Sequence, residues 1–270
     1  MVSMIMLKKI ISDGQTGADQ AALDAAIKWQ IPHGGWIPKG RKTERGPLPN
    51  KYQLKELPAD HYPKYNDQNV LDSDGTLILS HGKLTGGSAY TSQMAEKHGR
   101  PRLHLDLNKV NKFNAAQAIR RWTKRHDIGI LNVAGPRSSK APYIYQAVMK
   151  ILVTVFHLDF IESTMPDPAH TASPHPGTID QAVDALIAEL PLRNKTEIAN
   201  MGDEDLIYLQ LTLGAYIRDK FGPLDENSEL LRDCCVFMEV DTLDADNVPA
   251  IIITRLWRRL KETHSLRVVK

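Results

Sequence analysis

The chain has little cysteine: two among 270 residues, Cys234 and Cys235, side by side. Adjacent cysteines rarely bridge each other, so no disulfide framework is expected and a reducing compartment fits. Long hydrophobic runs are also missing. Nowhere do about 18 apolar residues follow one another, which argues against a membrane-spanning helix. The opening stretch, Met1 to Leu7, is too short for a signal-peptide core, and its lysines follow the apolar residues instead of preceding them. The expectation is a cytoplasmic protein with no membrane partner. Neither His-Glu-x-x-His nor Cys-x-x-Cys occurs, although there are ten histidines, so no metal site is expected. The absence of Gly-x-Ser-x-Gly disfavours a serine hydrolase.

What is present suits a globular protein, with 42% apolar and 24% charged residues. The formal net charge of +2 hides an asymmetry. Residues 1–158 hold 23 Lys+Arg against 12 Asp+Glu, and residues 159–270 hold 11 against 20. The basic half favours an anionic ligand, and the contrast suggests two domains. Between them, residues 162–176 contain four prolines and almost no large apolar side chain. The expected organisation is a domain over 1–161, a linker over 162–176 and a helical domain over 177–270.

The first half alternates strands and helices. Strands are expected at 8–12, 34–37, 75–79, 102–106 and 128–133. Helices are expected at 18–29, 86–98, 114–125 and 143–156, and a long irregular stretch at 38–66. Apolar strands alternating with helices imply a parallel sheet covered on both faces. The fold class is therefore α/β, a Rossmann-like doubly wound sheet in the order 3-2-1-4-5, followed by a small all-α domain. In the second half, Thr178 and Gln181 make a capping box. Ile179, Ala182, Val183, Leu186 and Leu190 form one apolar stripe after it. Asp203 is expected to cap a helix through Leu206, Leu209, Leu213 and Ile217, and 227–238 and 247–262 supply two more.

In doubly wound sheets the ligand lies beyond the strand C-termini. Three glycine-bearing loops follow strands there: Asp13-Gly-Gln-Thr-Gly17, the loop 80–88 with Gly86 and Gly87, and Ala134-Gly-Pro-Arg-Ser-Ser139. Each can aim backbone N–H groups at an anion, and two lead into helices. Glycines also simply end strands, but three in register favour a phosphate-bearing ligand.

These residues carry a resemblance. Ile11-Ser-Asp-Gly-Gln-Thr-Gly-Ala-Asp19, Ile31-Pro-His-Gly-Gly-Trp-Ile-Pro-Lys-Gly-Arg41, Asp72-Ser-Asp-Gly-Thr-Leu-Ile78, Leu84-Thr-Gly-Gly-Ser88 and Leu131-Asn-Val-Ala-Gly-Pro-Arg137 occur in order. Residues 1–158 thereby resemble the molybdenum-cofactor carrier proteins, within a Rossmann-like superfamily that includes the cytokinin-activating phosphoribohydrolases. The resemblance implies binding of the molybdenum cofactor (molybdopterin), a pterin bearing a dithiolene and a phosphate, or of another nucleotide-like phosphate ligand. It places the cofactor-binding site at Gly14, Gln15, Thr16, Gly17 and Asp19; at Trp36, Lys39, Gly40 and Arg41; and at Asn69, Ser73 and Asp74. Further site residues are Thr85, Gly86, Gly87 and Ser88, with Asn132, Gly135, Pro136, Arg137 and Ser138. No catalytic residue is assigned. The chain departs from the family pattern at Asp13, which stands for a glycine, at Gln20 and Tyr65, which stand for arginines, and at Ser139, which stands for a glutamate. A carboxylate at position 13 opposes anion binding unless it is protonated or contacts a metal. Residues 178–260 look like a helical domain of unknown function found in other bacterial proteins.

The leading reading is a carrier or binding protein, with the loops donating hydrogen bonds, Lys39, Arg41 and Arg137 supplying charge, and Trp36 stacking on a ring. Asp74 and Asn132 would orient ring edges. The rival is a phosphoribohydrolase-like enzyme using Asp13 or Asp74. Against it, the loop 84–93 lacks the catalytic Glu and Arg of that pattern. A third reading is a ligand sensor signalling through the helical domain. A homo-oligomer is expected. Nucleic acid is not: the basic stretch 120–126 lies on a helix whose Ile119 and Trp122 make an apolar face. No cysteine occurs in residues 1–161, so the protein offers no thiolate to a bound molybdenum, and the cofactor would be gripped by its pterin and phosphate.

Overall fold

The structure is a computed structural model and describes residues 7–57, 62–164, 176–203, 206–222 and 228–264. The chain divides into two units at 159/160, near the end of a long helix. In chain order the first unit begins with β1 (Lys9–Ile11), α1 (Ala18–Lys28), β2 (His33–Gly34), β3 (Trp36–Pro38), β4 (Lys42–Thr43), β5 (Gly46–Pro47) and β6 (Lys55–Leu57). It continues with α2 (Tyr62–Leu71), β7 (Gly75–Ser80), α3 (Gly86–Lys97), β8 (Arg102–Asp106), α4 (Lys112–Arg125), β9 (Ile130–Ala134) and α5 (Ile144–Thr164).

Five of these strands make one parallel sheet in the order β2-β1-β9-β7-β8. Counted among themselves they run 2-1-5-3-4, which corrects the expected 3-2-1-4-5. Burial explains the correction. Every residue of β7 is buried, as are four of the five in β9, whereas β8 begins with an exposed Arg102 and buries only Leu105. Strands buried on both faces take the middle of a parallel sheet and the more exposed ones its edges.

One face of the sheet is apolar. Ile10, Leu77, Leu79, Leu131 and Val133 share a core with α1, α4 and α5. The alanines of α1 at 18, 21, 22, 25 and 26 let that helix lie close to the strands. The alternate strand side chains point the other way. These include Thr76 and Asn132, both buried, with Asn132 Nδ2 donating to Thr76 Oγ1; just past β1, buried Ser12 donates its Oγ hydrogen to Val133 O. Helices α2 and α3 pack on each other, and α3 also packs on β7 and β8.

The second strand is shorter than expected and broken. β2 belongs to the main sheet, and β3 pairs instead with β6. The break is Gly35, at φ +128, where a Cβ would meet Ser12 O at 2.2 Å. The stretch expected to be irregular is ordered within the described residues. It holds a β4–β5 hairpin, strand β6 and the start of α2. Its small core is Leu23, Ile37, Leu48, Tyr52 and Leu54.

The second unit consists of α6 (Ile179–Glu189), α7 (Leu192–Ala199), α8 (Leu206–Phe221), α9 (Ser228–Met238), a 3-10 turn at Ala245–Asn247 and α10 (Val248–His264). Thr178 Oγ1 accepts from Gln181 N at 3.2 Å, while Gln181 Oε1 reaches back to Gly177 N. The stripe from Ile179 to Leu190 is buried against α10, which also packs on α7 and α8. Helix α7 was not expected. Of the segment read as a linker, 162–164 close α5 and 165–175 lie outside the described residues. So do 204–205, between Asp203 and α8, and Asn227. Cys234 is fully buried, and burial pushes its thiol up to about 12, so it acts as a core side chain. Among the described residues no helix is long and apolar enough to cross a membrane.

Candidate functional site

Because β9 lies between β1 and β7, the loops after these three strands are neighbours at the C-terminal edge of the sheet. They enclose a cavity of about 270 Å³. Asp13 and Gln15 come from the first loop and Asp19 from the first turn of α1. Tyr65 and Asn66 come from α2; Thr85, Gly87, Ser88 and Thr91 come from the start of α3. Gly135, Pro136, Arg137 and Lys140 come from the loop after β9. A second cavity of about 310 Å³ shares Thr85, Ser88, Pro136 and Lys140 and adds His81 and Lys83.

The glycines of this edge have different causes. Gly17 has φ +91, and a Cβ there would meet Pro136 O at 2.4 Å. Gly135 is pressed against Ala18 Cβ and Leu79 O. Both positions are set by backbone packing. Gly86 has φ +54 with nothing within 4 Å of a Cβ, so it faces open space.

The two helix starts differ accordingly. At α1, Ala18 N donates to Pro136 O at 3.3 Å, and Asp19 Oδ2 accepts from Gln15 N. At α3, Thr85 is the N-cap and makes no side-chain cap bond. The first N–H groups of a helix have no intrahelical acceptor, and the dipole makes that end positive. The start of α3, beside Arg137 and Lys140, is therefore suited to an anion.

Facing this positive end are two carboxyls. Asn69 Nδ2 donates to Asp13 Oδ1 at 2.6 Å and Asn66 Nδ2 donates to Asp13 Oδ2. The N-cap of α1 is Gly17. Burial raises its carboxyl to about 7, against the Asn69 hydrogen bond and the charge of Arg137. Burial, and after it the Asp13 charge, raises Asp19 well above the usual carboxylate range. Near neutral pH the pair carries less negative charge than two ordinary aspartates, which eases the conflict between Asp13 and an anion.

Other expected site residues stand away from the cavity linings. Asp74 lies at the opposite, N-terminal edge of the sheet, where its Oδ2 accepts from Gly129 N and Ile130 N. Arg41 is spent on four carbonyls, those of Leu48, Pro49, Tyr52 and Leu54, which staple the 41–54 segment. Lys39 is exposed, and Gly40 N donates to Glu56. Trp36 Nε1 donates to Asp72 and Lys55 lies over its ring, while Ser73 Oγ donates to Val70 O. Asn132 is buried against the neighbouring strand, where its Nδ2 donates to Thr76 Oγ1. Asn69 stands behind Asp13, and Gly14 packs beneath Leu48 and Leu54. Thr16 Oγ1 donates to Glu44 and accepts from Ser138 N.

Sequence reasoning missed Lys140, Asn66, Thr91 and Glu44. Glu44 reaches from the β4–β5 turn to Ser139, accepting from its N–H at 3.2 Å. A carboxylate thus stands at Ser139 after all, supplied by another loop. Burial raises Glu44, but hydrogen bonds from Ser139 and Thr16 outweigh this and hold it below the usual range. The departures at Asp13 and Tyr65 both line the cavity, whereas Gln20 bonds to Gly14 O. Arg120, from the basic stretch 120–126, pairs with buried Asp159 at 2.6 Å. Among the described residues no group of three or more His, Cys, Asp and Glu is placed to hold a metal ion.

The model of the circularly permutated YpsA SLOG family matches residues 10–156, over half of the chain. The chain belongs to this family. A crystal structure from Syntrophus aciditrophicus, described as a "Putative molybdenum carrier protein", is 55% identical to it. That structure is matched over 97% of its own length and 57% of this chain, with a TM-score of 0.55. The family match therefore takes in every loop of the cavity. A separate model, a domain of unknown function (DUF6794), matches residues 175–260. No curated protein matches.

Proposed function

We propose that the SLOG unit is a binding protein for a phosphate-bearing pterin or nucleotide-like ligand, seated in the cavity at the start of α3. The observation that carries this is the α3 start, where Gly86 faces open space, beside Arg137 and Lys140. The name of the Syntrophus aciditrophicus relative supports molybdenum cofactor as one such ligand. The residues present fit that group at two ends. The N–H groups of Gly87 and Ser88, with Lys140, would hold the phosphate, and the polar groups of α2 and the first loop would face the ring. When bound, the cofactor carries its metal on its own dithiolene, which agrees with the lack of cysteine in residues 1–161.

A phosphoribohydrolase-like enzyme is less well supported. Asp74 is at the far edge of the sheet, which leaves Asp13 as the candidate carboxylate. Mass spectrometry of the purified protein with metal analysis tests the binding reading. The expected result is a co-purifying pterin phosphate or nucleotide. An empty protein that also fails to bind GMP and neopterin monophosphate in titration calorimetry overturns it.

A further inference from the structure

Within the cavity, opposite the anion-holding start of α3, lies a cluster of groups that a phosphate does not use. Asn66 is only 3% exposed and lines the cavity, yet its Oδ1 has no hydrogen-bond partner. Its Nδ2 is committed to Asp13 Oδ2. Asn69 is fixed in its own orientation, because its Oδ1 accepts from Trp36 N at 2.8 Å while its Nδ2 donates to Asp13 and to Trp36 O. The carboxyl of Asp13 is thus oriented from behind by two amides, and each of its oxygens keeps a further lone pair. Beside it stands the acceptor of Asn66. A buried amide oxygen without a donor is costly, and a ligand N–H recovers that cost. Asn66 Oδ1 is itself covered, so it meets a ligand N–H once its amide turns toward the cavity; the cluster then sets acceptors next to one another and asks for a ligand edge with donors next to one another.

We infer that Asp13 and Asn66 form a subsite for a 2-amino-4-oxopyrimidine edge, the ring chemistry shared by pterins and guanines. That edge carries an exocyclic amino group beside a ring N–H. The ring N–H and one amino N–H meet the Asp13 carboxylate, and the second amino N–H meets Asn66 Oδ1. Adenine lacks this pair of donors, and hypoxanthine has the ring N–H without the amino group. The inference deepens the binding reading above and rests on it. It also gives a use to Asp13, which is otherwise a liability beside a phosphate: the carboxylate selects the ring while the start of α3 holds the charge.

Titration calorimetry on the full chain with GMP, IMP, AMP and neopterin monophosphate tests it. GMP or neopterin monophosphate should bind at least tenfold more tightly than IMP and AMP, and the stronger of the two identifies which ring the cavity takes. In Asp13→Asn the preference for GMP over IMP should fall to within about twofold, while IMP binds as well as before or better. Asn66→Leu should reduce the preference in the same direction, and a thermal melt of each variant checks that it is folded. Equal affinities for GMP, IMP, AMP and neopterin monophosphate in the wild type would overturn the subsite and leave the phosphate reading standing. An unchanged preference in folded Asp13→Asn would do the same. No binding by any of the four, in a protein that also purifies empty, would overturn both.

Discussion

Helices α1 and α3 both begin at the C-terminal edge of the sheet, and each follows a glycine-bearing loop. At α1 the loop is closed. Gly17 is pinned under Pro136 O, Ala18 N already has that carbonyl as acceptor, and Asp19 places a carboxyl in the first turn. Neither helix has a side-chain cap, but at α3 Gly86 has empty space beside it. The difference teaches that a glycine before a helix marks either a close backbone contact or an opening for a ligand. The partner across the loop decides which, and that partner is remote in sequence.

The sharpest test is a pair of substitutions. Gly17→Ala should destabilise by about 3 kcal/mol in urea unfolding, since overpacking and a positive φ act together. Gly86→Ala should cost about 1 kcal/mol, from its φ alone. Equal losses would dissolve the contrast. Next comes Asp13→Asn. Burial raises the Asp13 carboxyl from 3.8 to about 7, so between these values the folded chain keeps a proton that the unfolded chain has released. Stability therefore falls as pH rises through that window. The asparagine variant escapes the fall and should be more stable by roughly 1–3 kcal/mol at pH 8, with little difference near pH 4. Urea melts at the two pH values check the sign. The same ionisation should weaken binding of IMP as pH rises through about 7 in the wild type but not in Asp13→Asn. A smaller effect is expected for Arg137→Ala and Lys140→Ala. Each should weaken anion binding about tenfold at low salt and less at high salt, because exposed charges are screened beyond ~8 Å at physiological ionic strength. Lys39→Ala should leave binding unchanged, since Lys39 stands outside the cavity linings. A loss there equal to that at Lys140 would move the anion site away from α3.

Much of the fold could be read from apolar runs. The strand at 75–79 is buried throughout, and the alternating Arg102–Asp106 segment is an edge strand. Other parts left no such trace. Helix α2 turns Asn66 and Asn69 inward, so amides occupy positions where a periodic reading looks for leucine. The helix that bears half of the ring subsite is for that reason silent to hydropathy. The break at Gly35 is imposed by Ser12 O, and the strand order by which strands are buried on both faces; neither shows in a local stretch of sequence. Arg41 was a reasonable phosphate candidate by charge, but four carbonyls from the 48–54 turn claim it. Lys140 follows the glycine motif instead of lying in it, so no motif marks it.

The place of β9 also governs when the molecule can form. Without it, β1 and β2 are one pair and β7 and β8 another, with nothing between them. The strand that joins the two pairs is the last to leave the ribosome, and the contact of Ser12 with Val133 closes a sequence separation of 121 residues. Such long closures slow folding and leave strand edges bare while the chain waits. During synthesis the growing chain should therefore need shelter until about residue 134 has emerged. A ribosome-bound chain arrested before that point should be cut readily by protease, and one arrested well beyond α5 should resist.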